Sequence, residues 1–87
     1  MRYKVELRPR AARALRKLPH DVQARILPAL RGLADEPRPV GAKALQGEPH
    51  GTLRVRVGQY RIIYRSDDRS SEVLVLDIAH RSKAYRR

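Results

Sequence analysis

Arginine supplies most of the chemistry this chain can offer, and a dense stretch of it runs from Leu53 to Arg65. Leu53, Val55 and Val57 alternate with Arg54 and Arg56; after Gly58-Gln59, Tyr60, Ile62 and Tyr64 alternate with Arg61, Ile63 and Arg65. Two alternating runs around a two-residue turn containing glycine predict a β-hairpin. Counting outward from the turn sets Val57 opposite Tyr60, Val55 opposite Ile62, Leu53 opposite Tyr64, and Arg56 directly opposite Arg61. One face is then apolar and the other cationic. Like charges across a strand pair cost on the order of 0.2–1 kcal/mol, a penalty with a purpose if the charges hold an anion. The alternative, on these residues alone, is a solvated outer face of the kind usual in antiparallel sheets.

Other chemistry is sparse. The histidines at 20, 50 and 80 have no metal-ligand spacing, and no Ser/His/Asp arrangement or phosphate-cradling glycine loop stands out. His80, and less so His50, is a candidate proton acceptor because an imidazole titrates near neutrality. Lys and Arg number 20 against 9 Asp and Glu, a net charge of +11 that predicts attraction to RNA, DNA or an acidic protein. The excess of arginine over lysine favours bidentate phosphate contacts. No apolar run reaches membrane-spanning length, no basic amphipathic helix with aromatic anchors suits a lipid surface, and the N-terminus is no signal peptide. Without cysteine there are neither disulfides nor thiolate sites. The expectation is one soluble, cytoplasmic domain over residues 1–87, with no membrane association.

The elements that must position the hairpin follow from periodicity. Tyr3 to Arg8 predicts a strand with Tyr3, Val5 and Leu7 inward, ended by Pro9, which suits the first turn of a helix. Ala11, Ala14, Leu15 and Leu18 then share one helical face. Pro19 stops that helix and Asp21 is placed to cap a second, whose apolar face is Val22, Ile26, Leu30 and Leu33. Pro28 inside it predicts a kink or a division. The two helices form an αα-hairpin expected to cover the apolar face of the sheet. Asp35 to Gly51, rich in proline and glycine, predicts a long irregular connection. Glu72 to Ala79 predicts a central strand apolar on both faces, Val73 and Val75 on one, Leu74, Leu76 and Ile78 on the other, with the first strand at its free edge and the hairpin beyond. Asp77 within it calls for a nearby arginine. His80 to Arg87 leaves this strand as a short helical turn.

In this order, with KALQGEPHGTLRVRVGQYRIIYR followed by VLDIAHRSKAYR, the chain resembles the RelE toxin family (RelE/ParE superfamily) of type II toxin-antitoxin systems over essentially its whole length. The most specific parts are G-x-Y-R-x-x-Y, Gly58 to Tyr64, and H-R-x-x-x-Y, His80 to Tyr85. The resemblance implies an α+β fold of order β-α-α-β-β-β: a mainly antiparallel four-stranded sheet, an αα-hairpin on one face and a short C-terminal helical turn. It also implies an endoribonuclease, an mRNA interferase that enters the A site of the 70S ribosome beside 16S rRNA and inhibits translation. Cleavage is by attack of a ribose 2′-OH on the adjacent phosphate, with no metal or other cofactor.

Carried over position by position, the catalytic groups fall on Arg56, Arg61, Arg81 and Tyr85, and substrate contacts on Arg54, Lys43, Lys83 and Arg86. Arg56 and Arg61 would hold phosphorane charge, each worth about 3–4 kcal/mol by analogy with oxyanion donors. Arg81 would stabilise or protonate the leaving 5′-oxygen, and Tyr85 would stack on a splayed base. The chain departs from the family at Arg54 and Arg56, where lysine is usual; arginine does not deprotonate, so the natural substitute as general base is His80, with His50 a lesser candidate and catalysis by charge stabilisation and orientation alone the other alternative. The implied partner is an acidic, partly disordered antitoxin through which the complex binds operator DNA. Two other functions fit the superfamily: a ParE-like inhibitor of DNA gyrase, and a weakly active toxin serving mainly as an antitoxin-bound corepressor.

Overall fold

The computed structural model describes residues 2–47 and 51–83. Its elements are β1 (Lys4–Leu7), α1 (Pro9–Lys17), α2 (His20–Asp35), β2 (Lys43–Ala44), β3 (Thr52–Val57), β4 (Tyr60–Asp67) and β5 (Glu72–His80). They make one five-stranded sheet of order β1-β5-β4-β3-β2, parallel between β1 and β5 and antiparallel elsewhere. The α+β class, the αα-hairpin, the edge position of the first strand and the central last strand are as expected. The additional strand is β2, inside the stretch expected to be irregular: Lys43 pairs with Arg54, Ala44 with Leu53, and the Leu45 N–H donates to the Thr52 carbonyl at 2.9 Å.

The helices form where the sequence starts and stops them. Pro9 opens α1, where its missing N–H costs nothing, and Leu18 is extended (φ −73°, ψ 148°), as a residue before proline must be. The Gln23 side-chain amide donates to the Leu18 carbonyl at 2.9 Å and fixes the corner between the helices. Two details differ from expectation. Pro19, not Asp21, is the residue before the first turn of α2, and its carbonyl accepts from Val22 and Gln23. Asp21 lies inside that turn, where a carboxylate still favours the helix dipole. Pro28 does not divide α2, which runs continuously to Asp35. Ala24 and Pro28 are both exposed, so the carbonyl that loses its partner is on the solvent side.

The helices cover one face of the sheet. Ala11, Ile26, Leu30 and Leu33 pack there with Ile62, Tyr64, Val73, Val75 and Ile78. Ile78 joins Val73 and Val75 on this face, contrary to simple alternation. The reason is a bulge in β5: Ile63 pairs with Asp77 and Tyr64 with Val75, leaving Leu76 as an extra residue that resets the alternation beyond it. No helix among the described residues is long and apolar enough to cross a membrane.

At the far end of the sheet the Tyr64 ring is fully buried, and its hydroxyl donates to the Pro37 carbonyl at 2.8 Å. Tyr3 and Arg38 both bond Asp68 Oδ1, at 2.8 and 3.2 Å, tying the same connection to β1 and to the β4–β5 turn. Burial pushes the Tyr64 phenol up to about 12. An unfolded phenol ionises near 10, so the unfolded state loses its proton first and folded stability falls as pH climbs from about 10 to about 12. Tyr64→Phe should cost about 1–2 kcal/mol at pH 8 through the stranded carbonyl. Urea midpoints at pH 8 and above pH 10 check this: the advantage of wild type should narrow in the alkaline range, because phenylalanine has no proton to lose.

Candidate functional site

The hairpin takes the register counted from its sequence: Val57 pairs with Tyr60, Val55 with Ile62, Leu53 with Tyr64, and Arg56 with Arg61. Gly58 sits at the first turn position with φ +59°, a conformation that glycine adopts without strain. Paired residues share a face, so Arg56 and Arg61 stand side by side on the face away from the helices, with Ala79 of β5 next in the row. The neighbouring row runs Lys43, Arg54, Ile63 and Asp77 across four strands. Three of the expected substrate and catalytic cations of β3 and β4, with Lys43 of β2, are thereby brought onto one surface. Arg65, further along, is drawn aside by its Nε–H bond to Thr52 Oγ1 at 3.2 Å.

Arg61 is the most constrained of these cations. Its Nη2 donates to the Lys83 carbonyl, while its Nε is buried and has no partner among the described residues. A buried unpaired donor costs about 1–3 kcal/mol, a deficit the fold carries at this guanidinium. The contact also ties β4 to the segment after β5. There the Arg81 N–H donates to the Gln59 carbonyl at 2.7 Å, and the Lys83 N–H to the His80 carbonyl at 3.0 Å, closing one turn beside the hairpin tip. Arg81 and Lys83 therefore stand next to the Arg56–Arg61 row. Of the expected C-terminal helical turn only Arg81 to Lys83 is described. Tyr85, Arg86 and His50 lie outside the described residues.

Asp77 does not neutralise the arginine row. It is 6% exposed, its Oδ2 is 3.2 Å from Arg10 Nε on α1, and its Oδ1 accepts the Ile78 N–H at 2.8 Å. Sequence reading foresaw an arginine partner for it but not which one. It also missed an open cleft of 460 Å³ between α1 and the end of β5, lined by Arg10, Arg13, Lys17, Tyr60, His80 and Lys83 among others. The helical spacing of Arg10, Arg13 and Lys17 was the available signal; what lay opposite them was not. Among the described residues no three His, Asp or Glu side chains converge to hold a metal ion.

The surface thus offers adjacent guanidinium donors, one of them, Arg61, held by a backbone carbonyl, a backbone-clamped turn after β5 and no competing carboxylate in the Arg56–Arg61 row. That is chemistry for phosphate. The chain matches the family described as the ParE toxin of the type II toxin-antitoxin system parDE over residues 5–85. It is 41% identical to Toxin RelG of Mycobacterium tuberculosis over the full length of both chains, so the likeness is not confined to a motif. It is similar to the solved toxin-antitoxin complex RelBE2 from Mycobacterium tuberculosis, at 36% identity over 92% of this chain and 99% of that one, with a TM-score of 0.80. The archaeal RelE-RelB complex from Pyrococcus horikoshii OT3 superposes with a TM-score of 0.82 at 28% identity, covering 97% of this chain and 100% of that one.

The Arg61 contact makes a local prediction. Arg61→Ala should free the Lys83 carbonyl and speed amide hydrogen exchange across residues 81–83, whereas Arg56→Ala, which removes no contact to that turn, should leave exchange there unchanged. Equal acceleration by both variants would show that the turn answers to net charge and not to this bond.

Proposed function

Because this chain belongs to the RelE/ParE superfamily, the toxins of type II toxin-antitoxin systems, we propose that it is a ribosome-dependent endoribonuclease that cuts mRNA in the A site. The observation that carries this reading is the row in which Arg56 faces Arg61, with Arg61 clamped to the Lys83 carbonyl and its Nε unpartnered. It supports an anion site in which one donor, Arg61, is held before the substrate arrives, the arrangement that favours a transition state over a ground state.

In the proposed reaction a ribose 2′-oxygen attacks the adjacent phosphorus, its proton passing to solvent, and the P–O5′ bond breaks as the 5′-oxygen takes a proton from solvent. The products are a 2′,3′-cyclic phosphate and a 5′-hydroxyl. Arg56 and Arg61 hold the phosphorane oxygens and Arg81, beside the hairpin tip, faces the leaving oxygen. Tyr85 stacks on a base. Arg54, Lys43, Lys83 and Arg86 bind the flanking backbone by charge. Holding the message in line supplies the orientational part of the acceleration. This activity belongs in the cytoplasm, and no cofactor enters it.

The proposed partner in the resting state is an acidic cognate antitoxin, as the similar RelBE2 and RelE-RelB complexes suggest, with operator DNA reached through it. Since the family description names ParE, inhibition of DNA gyrase is the second reading. The arginine row and the 41% identity to a Rel toxin favour the first.

Mapping mRNA 5′ ends by primer extension in a reconstituted translation reaction tests this. Wild type should give cuts confined to A-site codons, and Arg61→Ala and Arg81→Ala should each lower cleavage by about 10²–10³-fold. Arrest with intact message would overturn the nuclease reading, and induction of DNA damage with no loss of mRNA would put gyrase inhibition in its place. Antitoxin affinity should fall steeply between low and high salt, given a toxin charge of +11; salt-independent affinity, measured by titration calorimetry, would exclude an electrostatic clasp.

A further inference from the structure

His80 sits where β5 ends, opposite Tyr60 in the β4–β5 ladder. Its ring meets the Tyr60 ring edge-on, with centroids 5.3 Å apart and planes at 85°, which fixes the imidazole plane. The Ser82 backbone N–H lies 3.1 Å from Nδ1, and the Ser82 hydroxyl 2.8 Å from the same atom. A backbone N–H can only donate. Nδ1 must therefore present its lone pair, and neither the Nδ1–H tautomer nor the imidazolium can do so.

We infer that His80 is a positioning residue: as the neutral Nε2–H tautomer, its Nδ1 caps the Ser82 amide and fixes the turn that carries Arg81 beside the Arg56–Arg61 row. The geometry stands by itself, while its catalytic consequence rests on the proposed reaction. The cap is the third restraint on that turn, after the Arg81 N–H to Gln59 carbonyl bond and the Lys83 N–H to His80 carbonyl bond. Arg61 adds a fourth through the Lys83 carbonyl. In this arrangement Nε2 carries a hydrogen and Nδ1 is engaged, so the ring has no free lone pair for the 2′-OH proton. His80 then serves the reaction by placing Arg81 and not as its base. The arrangement mimics an Asx turn, in which an acceptor attached to Cγ captures the N–H two residues on.

That likeness supplies the test. In His80→Asn the side-chain oxygen stands on Cγ, where Nδ1 does, and can cap Ser82, yet it has no basicity. In His80→Gln the amide reaches the place of Nε2 and leaves the cap empty. Long-range 1H–15N NMR of the full-length wild-type chain should show the Nε2–H tautomer, and amide exchange at Ser82 and Lys83 should be slow in wild type and His80→Asn but faster in His80→Gln. Cleavage of ribosome-bound mRNA should stay within about threefold of wild type for His80→Asn and fall roughly tenfold to a hundredfold for His80→Gln, the scale of a misplaced group. The matched pair of amides keeps the comparison valid if His80→Ala fails to fold. An Nδ1–H ring, or equal exchange in both variants, overturns the cap whether or not the protein cuts RNA. Cleavage lost equally in His80→Asn and His80→Gln, with the turn intact in His80→Asn, would make His80 the base instead. If wild type cuts no message, the proposed function falls and the NMR and exchange results alone decide the cap.

Discussion

The hairpin register constrains the site more than any contact within it. Side chains on β3 and β4 alternate strictly, so a slip of one residue would carry Ile62 and Tyr64 out of the core and turn the arginines into it. Ile62 and Tyr64 are fully buried, and burying such side chains is worth about 1.5–3 kcal/mol each. The repulsion between Arg56 and Arg61 costs on the order of 0.2–1 kcal/mol. Core packing wins by a wide margin. The two arginines are therefore held side by side by residues of the core, at the level of the backbone, whatever their side chains do.

The same division of labour continues into β5, which must serve the core along its whole length and still deliver a cationic turn at its end. The bulge at Leu76 makes this possible. Before it, Val73 and Val75 face the helices; after it, Ile78 and His80 face them, opposite Ile62 and Tyr60. Without the extra residue Ile78 would point away from the core, and His80 would not meet Tyr60 or reach the Ser82 amide from that side. Asp77, next to the bulge, is turned to Arg10 on α1, so its charge is committed to the helix layer and not to the arginine row.

Much of this was legible because it rests on alternation and on proline. The hairpin register, the edge position of β1, the central position of β5 and the face shared by Arg54, Arg56 and Arg61 all follow from counting; the place of Lys43 beside Arg54 does not. What was not legible depends on partners distant in the chain. Nothing in Glu72 to His80 marks Leu76 as the extra residue, because Leu76 and Ile78 are both apolar and either face would accept them. The two-residue strand β2 forms only because Thr52 and Arg54 present an open edge to Lys43 to Leu45. Pro28 predicts a kink or a division because its cost is visible in the sequence, while the solvent that relieves it is not. His80 was read from its usual acid-base chemistry; its role as an acceptor for Ser82 depends on a ring orientation that Tyr60 sets.

Two mechanisms of restraint therefore meet at one surface. Arg56 and Arg61 are placed by buried β-sheet, whose opening would require unfolding of the core. The turn carrying Arg81 is placed by its hydrogen bonds with His80, Arg61 and Gln59 near the surface, the class of contact that opens at low free energy. Opening of this turn can then move Arg81 while leaving the arginine row in register. The backbone that carries Arg56 and Arg61 thus stays folded whether the turn is closed or open, and the segment that carries Arg81 is the one free to move.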